Sequence, residues 1–437
     1  MNMETDDSHE LLTAVVADAG GRIFDLPGYA AVGMAGEHFE ALTGAGTIGL
    51  PFGSELMYLP DRVPILLHLA RGELEPVPEN PHAPGEPIYP VAAFNSPGYV
   101  ITHVAAFRER PRARALPLFS YGGVGWLGGR FRSAAIRVEW EPRQDLRRMA
   151  PRQVKAGVRS LRRRLPRNRL VRHLESCALE SGCPAGKNFF LGRYEAPLPT
   201  AVTCNARCLG CLSLQKNTGI SCTQERIAFT PLPEEIAEAA LLHIGRVKRA
   251  VVSFGQGCEG EPLTAADAIE AAIRLIRAET RRGTINLNTN AGRPERVARL
   301  VAAGLDSMRV SVNSLRPECY RAYFRPQGFR FNDVLRSIDT ALEQGKFVSI
   351  NYLNSPGLTD TAAEAEALMA FLKNHPIHMI QWRNLNFDPL RYWKAMGAAA
   401  PLGEPLGMDA LIREIRLRFP GLKFGYFNPP KEKFRRI

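Results

Sequence analysis

The chain has 437 residues, 45% of them hydrophobic and 23% charged, with eight cysteines and a formal net charge of +12. This is the composition of a soluble globular protein with room for two or three domains, and eight cysteines are too few for a disulfide scaffold of this length. No run reaches the roughly 18 apolar residues of a membrane span, and the acidic start MNMETDDSHE has no basic or long apolar stretch of a signal peptide, so a cytoplasmic location is expected.

Residues 1–140 hold short apolar runs such as TAVVADA, PVAAFN and AAIRVEW, separated by Gly and Pro. That texture predicts a β-rich or α+β N-terminal domain. It contains no catalytic constellation, and His38, His82 and His103 read as surface or packing residues. Residues 141–197 read as a basic helical connector. Between Pro142 and His173 stand twelve Arg or Lys against one acid, Asp145, so the rest of the chain is close to neutral. Leu146, Val154, Val158, Leu161 and Leu165 recur at roughly helical spacing. Such a helix can attract phosphates, RNA or another anionic substrate, or it can be a solvated connector with paired arginines. No aromatics are interleaved as a single-strand reader would need.

From Leu198 onward strand and helix patterns alternate. Candidate strands are Ala201–Cys204, Ala250–Phe254, Thr284–Asn290, Met308–Asn313, Phe347–Leu353 and His378–Leu385. The helical patterns between them include PEEIAEAALLHIGR, TAADAIEAAIRLIRAETRR opening on a Thr cap, and RPERVARLVAAG ending on a Gly stop. Six βα units imply a parallel sheet with helices outside, either a partial barrel or a doubly wound sheet. Both forms carry their sites at the C-terminal strand ends. The core is expected over residues 198–390, with 391–437 a C-terminal helix and tail packing on it.

Three features then carry chemistry. Cys204, Cys208 and Cys211, in CNARCLGC, follow the first strand. Three thiolates on one loop can hold three corners of an iron–sulfur cube and leave one iron open, or form part of a zinc knuckle with Cys222 or a His. The loop SFGQGCEGEPL after the second strand contains Gly257, Glu259, Gly260 and Glu261. Its glycines allow close backbone approach, and its two acids favour an ammonium group over a phosphate. Later strands end in polar residues: Asn288 and Asn290, Ser311 and Asn313, then Gln381, Arg383 and Asn384. Together these predict a polar rim on one face.

With these motifs in this order, the chain resembles the radical SAM superfamily over about Leu198 to Asp388. The resemblance implies a partial (βα)6 barrel. It implies a [4Fe–4S] cluster on Cys204, Cys208 and Cys211, with S-adenosylmethionine bound at the fourth iron. Gly257, Glu259, Gly260, Glu261, Asn288, Asn290, Ser311 and Asn313 would be its cofactor-binding set, Glu261 helping to hold the methionine ammonium. Reductive cleavage would then give a 5′-deoxyadenosyl radical that abstracts a substrate hydrogen, fed by an electron donor such as a flavodoxin or ferredoxin. Gln381, Arg383 and Asn384 are candidate substrate contacts. One departure stands out: where the family commonly has an aromatic before the third cysteine, this chain has Gly210, so adenine packing is expected from elsewhere. Cys177, Cys183 and Cys222 could hold an auxiliary cluster, although burial as small apolar side chains is the simpler expectation. Cys258 could act near the cofactor or simply pack, and Cys319 reads as a helix-face core residue. The competing class is a metal-containing RNA- or protein-binding protein without SAM cleavage.

Overall fold

The computed structural model describes residues 10–434, so the expectation about a signal peptide falls almost wholly outside it. From Thr13 to Arg137 the chain forms fifteen short strands, all paired antiparallel, and no helix precedes the 3-10 turn Leu146–Arg148 among the described residues. The N-terminal region is therefore β-rich rather than α+β. Its apolar faces fill several small clusters, such as Ala14, Val16, Leu26, Tyr29, Leu66, Val77 and Ile88.

Three helices follow: α1 (Pro151–Arg164), α2 (Arg169–Leu179) and α3 (Pro184–Leu191). Val154, Val158 and Leu161 are the buried stripe of α1, whereas Leu146 is exposed in the preceding 3-10 turn and does not belong to it. Several of the basic residues have acidic partners. Arg162 pairs with Glu175, Arg169 with Glu235, Arg147 with Asp145, and the buried Arg143 with Glu141.

The rest is a parallel sheet whose seven strands lie side by side in chain order. They are β1 (Glu195–Pro197), β2 (Val251–Phe254), β3 (Thr284–Thr289), β4 (Ser307–Val312), β5 (Phe347–Asn354), β6 (Met379–Asn384) and β7 (Lys423–Gly425). The crossovers carry α4 (Pro233–Arg246), α5 (Ala266–Glu279), α6 (Pro294–Ala303), α7 (Pro317–Phe324), α8 (Phe331–Glu343), α9 (Ala362–Asn374), α10 (Pro389–Gly397) and α11 (Met408–Arg418). Four of these helices start on a proline, whose missing N–H and fixed φ suit the first turn. Strictly sequential order decides for a partial barrel, because a doubly wound sheet reverses its strand order part-way.

Three expectations need correction. The first strand is Glu195–Pro197, not Ala201–Cys204. Pro199 has no N–H for the ladder, and the next two N–H groups, of Thr200 and Ala201, donate to the Glu259 carboxylate instead. The C-terminal tail does more than pack on the core, since it adds β7 beside β6. Also, α5 does not open on a Thr cap. The hydroxyl of Thr264 donates to the carbonyls of Thr203 and Glu261, and Glu261 itself caps the preceding 3-10 turn.

The β-rich region sits against the C-terminal ends of the barrel strands. The Asn384 side chain accepts from Ile101 N–H at 3.0 Å and donates to Tyr99 O at 2.9 Å, and Asn354 donates to Ile101 O at 2.8 Å. Arg62 and Asp388, both almost fully buried, join the two regions at 3.0 Å.

Candidate active site

A cavity of about 550 Å³ opens at the C-terminal ends of the strands. Cys204, Cys208 and Cys211 line it, as do Gly257, Glu259, Gly260, Glu261, Asn288, Asn290, Ser311, Arg383 and Asn384. Residues from the β-rich region, including Phe94, Ser96 and Tyr99, form its other wall.

Backbone contacts fix the cysteine loop. Arg207 N–H donates to Phe324 O at 2.9 Å and Leu209 N–H to Tyr323 O at 3.0 Å, which ties the loop to α7. On its other side Gly260 N–H donates to Ala201 O at 2.6 Å and Glu261 N–H to Thr203 O at 2.9 Å. A Cβ at Gly260 would stand 1.9 Å from Thr203 O, so only glycine lets the two loops meet. Burial pushes the Cys204 thiol up to about 11, with Glu261 nearby adding to it. Cys208 is raised further by burial, then by its two neighbouring thiols. Arg226 approaches Cys211 Sγ at 3.7 Å, and that is the only guanidinium contact with the three sulfurs among the described residues. Three half-buried thiols beside a buried carboxylate form a donor set that a metal cluster would complete.

The two glutamates of the adjoining loop differ. A carboxylate offers about four lone-pair positions. Glu259 uses them all: Oε2 accepts from Thr200 and Ala201 N–H at 2.8 and 2.9 Å, and Oε1 from Gly255 and Gln256 N–H at 2.8 and 2.7 Å. Burial raises its pKa to about 7, against the pull of those four donors. Glu259 therefore fastens the loop and is withdrawn as a ligand contact. Glu261 Oε1 accepts from Leu263 N–H and the Thr289 hydroxyl, and Oε2 from Asn290 N–H at 2.8 Å. One position on Oε2 remains, beside the cavity.

The polar strand ends divide in the same way. The Ser311 hydroxyl faces the cavity and makes no hydrogen bond among the described residues. Strand alternation puts Arg309 on the same side, while Met308, Val310 and Val312 are buried on the other. Asn288 and Asn290 line the cavity but are engaged: Asn288 donates to Gly255 O at 2.8 Å and Asn290 to Asn205 Oδ1 at 2.7 Å. Asn313 is corrected outright, because it turns away to Cys319 O and the Tyr392 hydroxyl. Gln381 lies buried beneath the floor, bonded to Arg309 and Asn428. Asn384 holds the β-rich region in place rather than a free face. Arg383 alone of its group presents a charge, stacked on Tyr426 with its guanidinium carbon 3.3 Å from the ring centre.

Sequence reasoning passed over three contributors. Arg309 is half-buried, its Nε is covered and has no partner, and desolvation followed by the nearby Arg383 holds its pKa down to about 9. Its position two residues before Ser311 was the available signal. Tyr323 and Phe324 line the cavity next to Gly210, and a Cβ at Gly210 would meet the Tyr323 hydroxyl at 3.0 Å. The aromatic surface missing from the loop is supplied by α7. Of the remaining cysteines, Cys222 is exposed and does not line the cavity, whereas Cys177, Cys183 and Cys258 do. The trio Cys177, Cys183 and Cys222 is thus not assembled.

A family model described as the Radical SAM superfamily matches residues 198–372. This part of the chain belongs to the radical SAM superfamily. The cofactors of these enzymes are a [4Fe–4S] cluster and S-adenosylmethionine. Similar curated proteins include a GTP 3′,8-cyclase of Streptomyces coelicolor, 28% identical over 47% of this chain, and molybdenum cofactor biosynthesis protein 1 of Mus musculus, 29% identical over 53%. The chain spans 58% of the length of the first and 34% of the second. Among solved structures, a radical SAM methyltransferase from Sphaerobacter thermophilus matches with TM-score 0.37 and 18% identity, over 53% of this chain and 65% of that one. Within the radical SAM part, the residues free to meet a ligand are the three cysteines, Glu261, Ser311, Arg309, Arg383 and the α7 aromatics. No helix among the described residues is long and apolar enough to cross a membrane.

Proposed function

We propose that the protein cleaves S-adenosylmethionine reductively and uses the resulting radical on an anionic substrate. The observation that carries this reading is a single cavity holding the three-cysteine loop and Glu261 together with Arg309 and Arg383. Cys204, Cys208 and Cys211 would hold the cluster, and the open acceptor on Glu261 suits the methionine ammonium. The Ser311 hydroxyl is available to a ribose or carboxylate, and Tyr323 and Phe324 offer faces for the adenine. When bound there, a cluster reduced by an external one-electron donor would supply the electron that cleaves the sulfonium of S-adenosylmethionine into methionine and a 5′-deoxyadenosyl radical. The chain's own part is to orient these groups and keep water from them, with the β-rich region as the covering wall.

Arg309 and Arg383 support the substrate class. Neither forms an ion pair among the described residues, and half-buried guanidiniums without carboxylates favour an anionic guest. GTP, named in the curated relatives, is the first anion to test. An electron donor of flavodoxin or ferredoxin type belongs to the same reading. The basic connector gives less support to an RNA partner, since Arg162, Arg169, Arg147 and Arg143 already have acidic partners.

The test is anaerobic reconstitution with iron and sulfide, followed by dithionite and S-adenosylmethionine, with 5′-deoxyadenosine measured by chromatography. Wild type is expected to form it, and Cys208→Ala to lose both cluster absorbance and product. A cluster-loaded wild type that makes none would falsify the reading. Replacing Arg309 and Arg383 by alanine should keep slow cofactor cleavage while abolishing its stimulation by the substrate.

A further inference from the structure

A second group of metal-binding atoms lies in the cavity wall, away from the three-cysteine loop. His173 and Cys177 are four residues apart on α2, so both side chains leave the same helix face. Nε2 of His173 lies 3.5 Å from Sγ of Cys177. Cys258 reaches the same point from the barrel side, in the loop after β2. That loop is held rigid by the four N–H groups that donate to the neighbouring Glu259. All three ligand atoms lie within 4.8 Å of one another.

Those separations fit a single ion, and the nitrogen and two sulfurs suit a thiophilic one. Around one tetrahedral zinc, with metal–sulfur bonds of about 2.3 Å and metal–nitrogen bonds of about 2.0 Å, ligand atoms stand roughly 3.5 to 3.8 Å apart. Thiolates on separate irons of a cube stand farther apart, because each holds a different metal. We propose that His173, Cys177 and Cys258 bind one thiophilic divalent ion of the zinc class, with its fourth position open to the cavity. Cys177 and Cys258 both line that cavity, which gives the ion an entry path. Cys183 lines it too, and its N–H donates to Cys177 O at 2.9 Å, but its sulfur is not among the three that converge. The ion would pin α2 to the loop carrying Glu261. Three protein ligands and a free position are the arrangement that lets zinc accept a donor atom from a bound molecule.

The test uses the full chain with Cys204, Cys208 and Cys211 replaced by alanine, which removes the loop's own thiols. After chelator treatment under reducing conditions it is titrated with Co²⁺, then with Zn²⁺. The expected result is about one ion per chain, with intense tetrahedral d–d bands and sulfur-to-cobalt charge transfer that zinc abolishes. Cys177→Ser and Cys258→Ser should each weaken binding by more than the roughly 10–100-fold that loss of a ligand's hydrogen-bonding partner costs. His173→Gln should do the same, while Cys183→Ser, Cys222→Ser and Cys319→Ser retain the ion. Should the triple variant not fold, zinc per chain in cluster-loaded wild type and its Cys177→Ser form, measured by plasma mass spectrometry, decides instead. No zinc in wild type, unchanged binding in Cys258→Ser, loss of the ion in Cys183→Ser, or a Cys177–Cys258 disulfide in place of metal uptake would each overturn the proposal.

Discussion

The β-rich region and the barrel face each other across one cavity, yet they are built on different principles. The β-rich region keeps several small apolar clusters of its own and lends others, such as Met34, Ile101 and Tyr121, to the large core of the barrel. That core runs between sheet and helices, and the barrel's interior is polar. Asn286 donates to Asn288 at 2.8 Å, Arg309 to Gln381 at 2.9 Å, and Asn428 to Glu195 at 2.8 Å. One region therefore only has to cover, whereas the other has to hold charges and hydrogen bonds in fixed directions. The polar groups of the barrel hold one another in direction, so a substitution there should reach cofactor cleavage, whereas one in the cover should stay within its own cluster.

The largest expected effect is at the seam between them. Asp388→Ala removes one of the two acidic partners of buried Arg62, the acceptor for Leu116 N–H and the cap of α10. Arg62 keeps Glu109 at 2.8 Å, but the lost buried acceptor and the lost cap together cost about 2–5 kcal/mol. Urea unfolding followed by far-UV and near-UV signals should then split into two transitions, one for each region. A single transition at the wild-type midpoint would show that the seam does not couple them.

Acid should separate the regions next. His243 on α4 is fully buried, and burial holds its pKa down to about 4. Its neutral form is the native one, so the unfolded chain takes up a proton first as pH falls. The stability is complete above about 6.5 and is lost progressively between there and about 4, by up to roughly 3 kcal/mol. His243→Phe should flatten that slope for the barrel transition and leave the β-rich transition unchanged. Equal slopes in both proteins would mean that other groups set the acid response.

Smaller is the effect of Asn428→Leu, which strips partners from Gln381 and Glu195 inside the barrel. A cost of about 1–3 kcal/mol is expected, read as a lower urea midpoint. A comparable truncation in the cover, Leu26→Ala, should cost about 2–5 kcal/mol to its own transition and leave cofactor cleavage intact.

These contrasts explain what could be read in advance. The strand–helix alternation was legible because each βα unit carries its own period and its own Pro or Gly punctuation. The cysteine loop was legible because all three thiols lie within eight residues. Glu259 and Glu261 looked alike in the sequence, and only the count of N–H donors around each separates them. Asn313 and Gln381 were misjudged because a polar strand end can turn outward or downward as readily as toward the cavity. Cys258 was noticed, but its meeting with His173 and Cys177 depends on the docking of α2. β7 went unseen because three residues give no period to detect.

Asn428 also bears on the order in which the molecule can be made. It bonds Glu195, a residue 233 positions earlier, and contacts Ser253, Asn288 and Gln381 from neighbouring strands. During synthesis, β1 to β6 must leave the ribosome before the group that bridges their interior exists. Until then those amides and carboxylates can be satisfied only by water, and the half-built sheet has an open edge beside β6. The barrel should therefore close late, and a nascent chain stalled before residue 428 should be the form most in need of a chaperone.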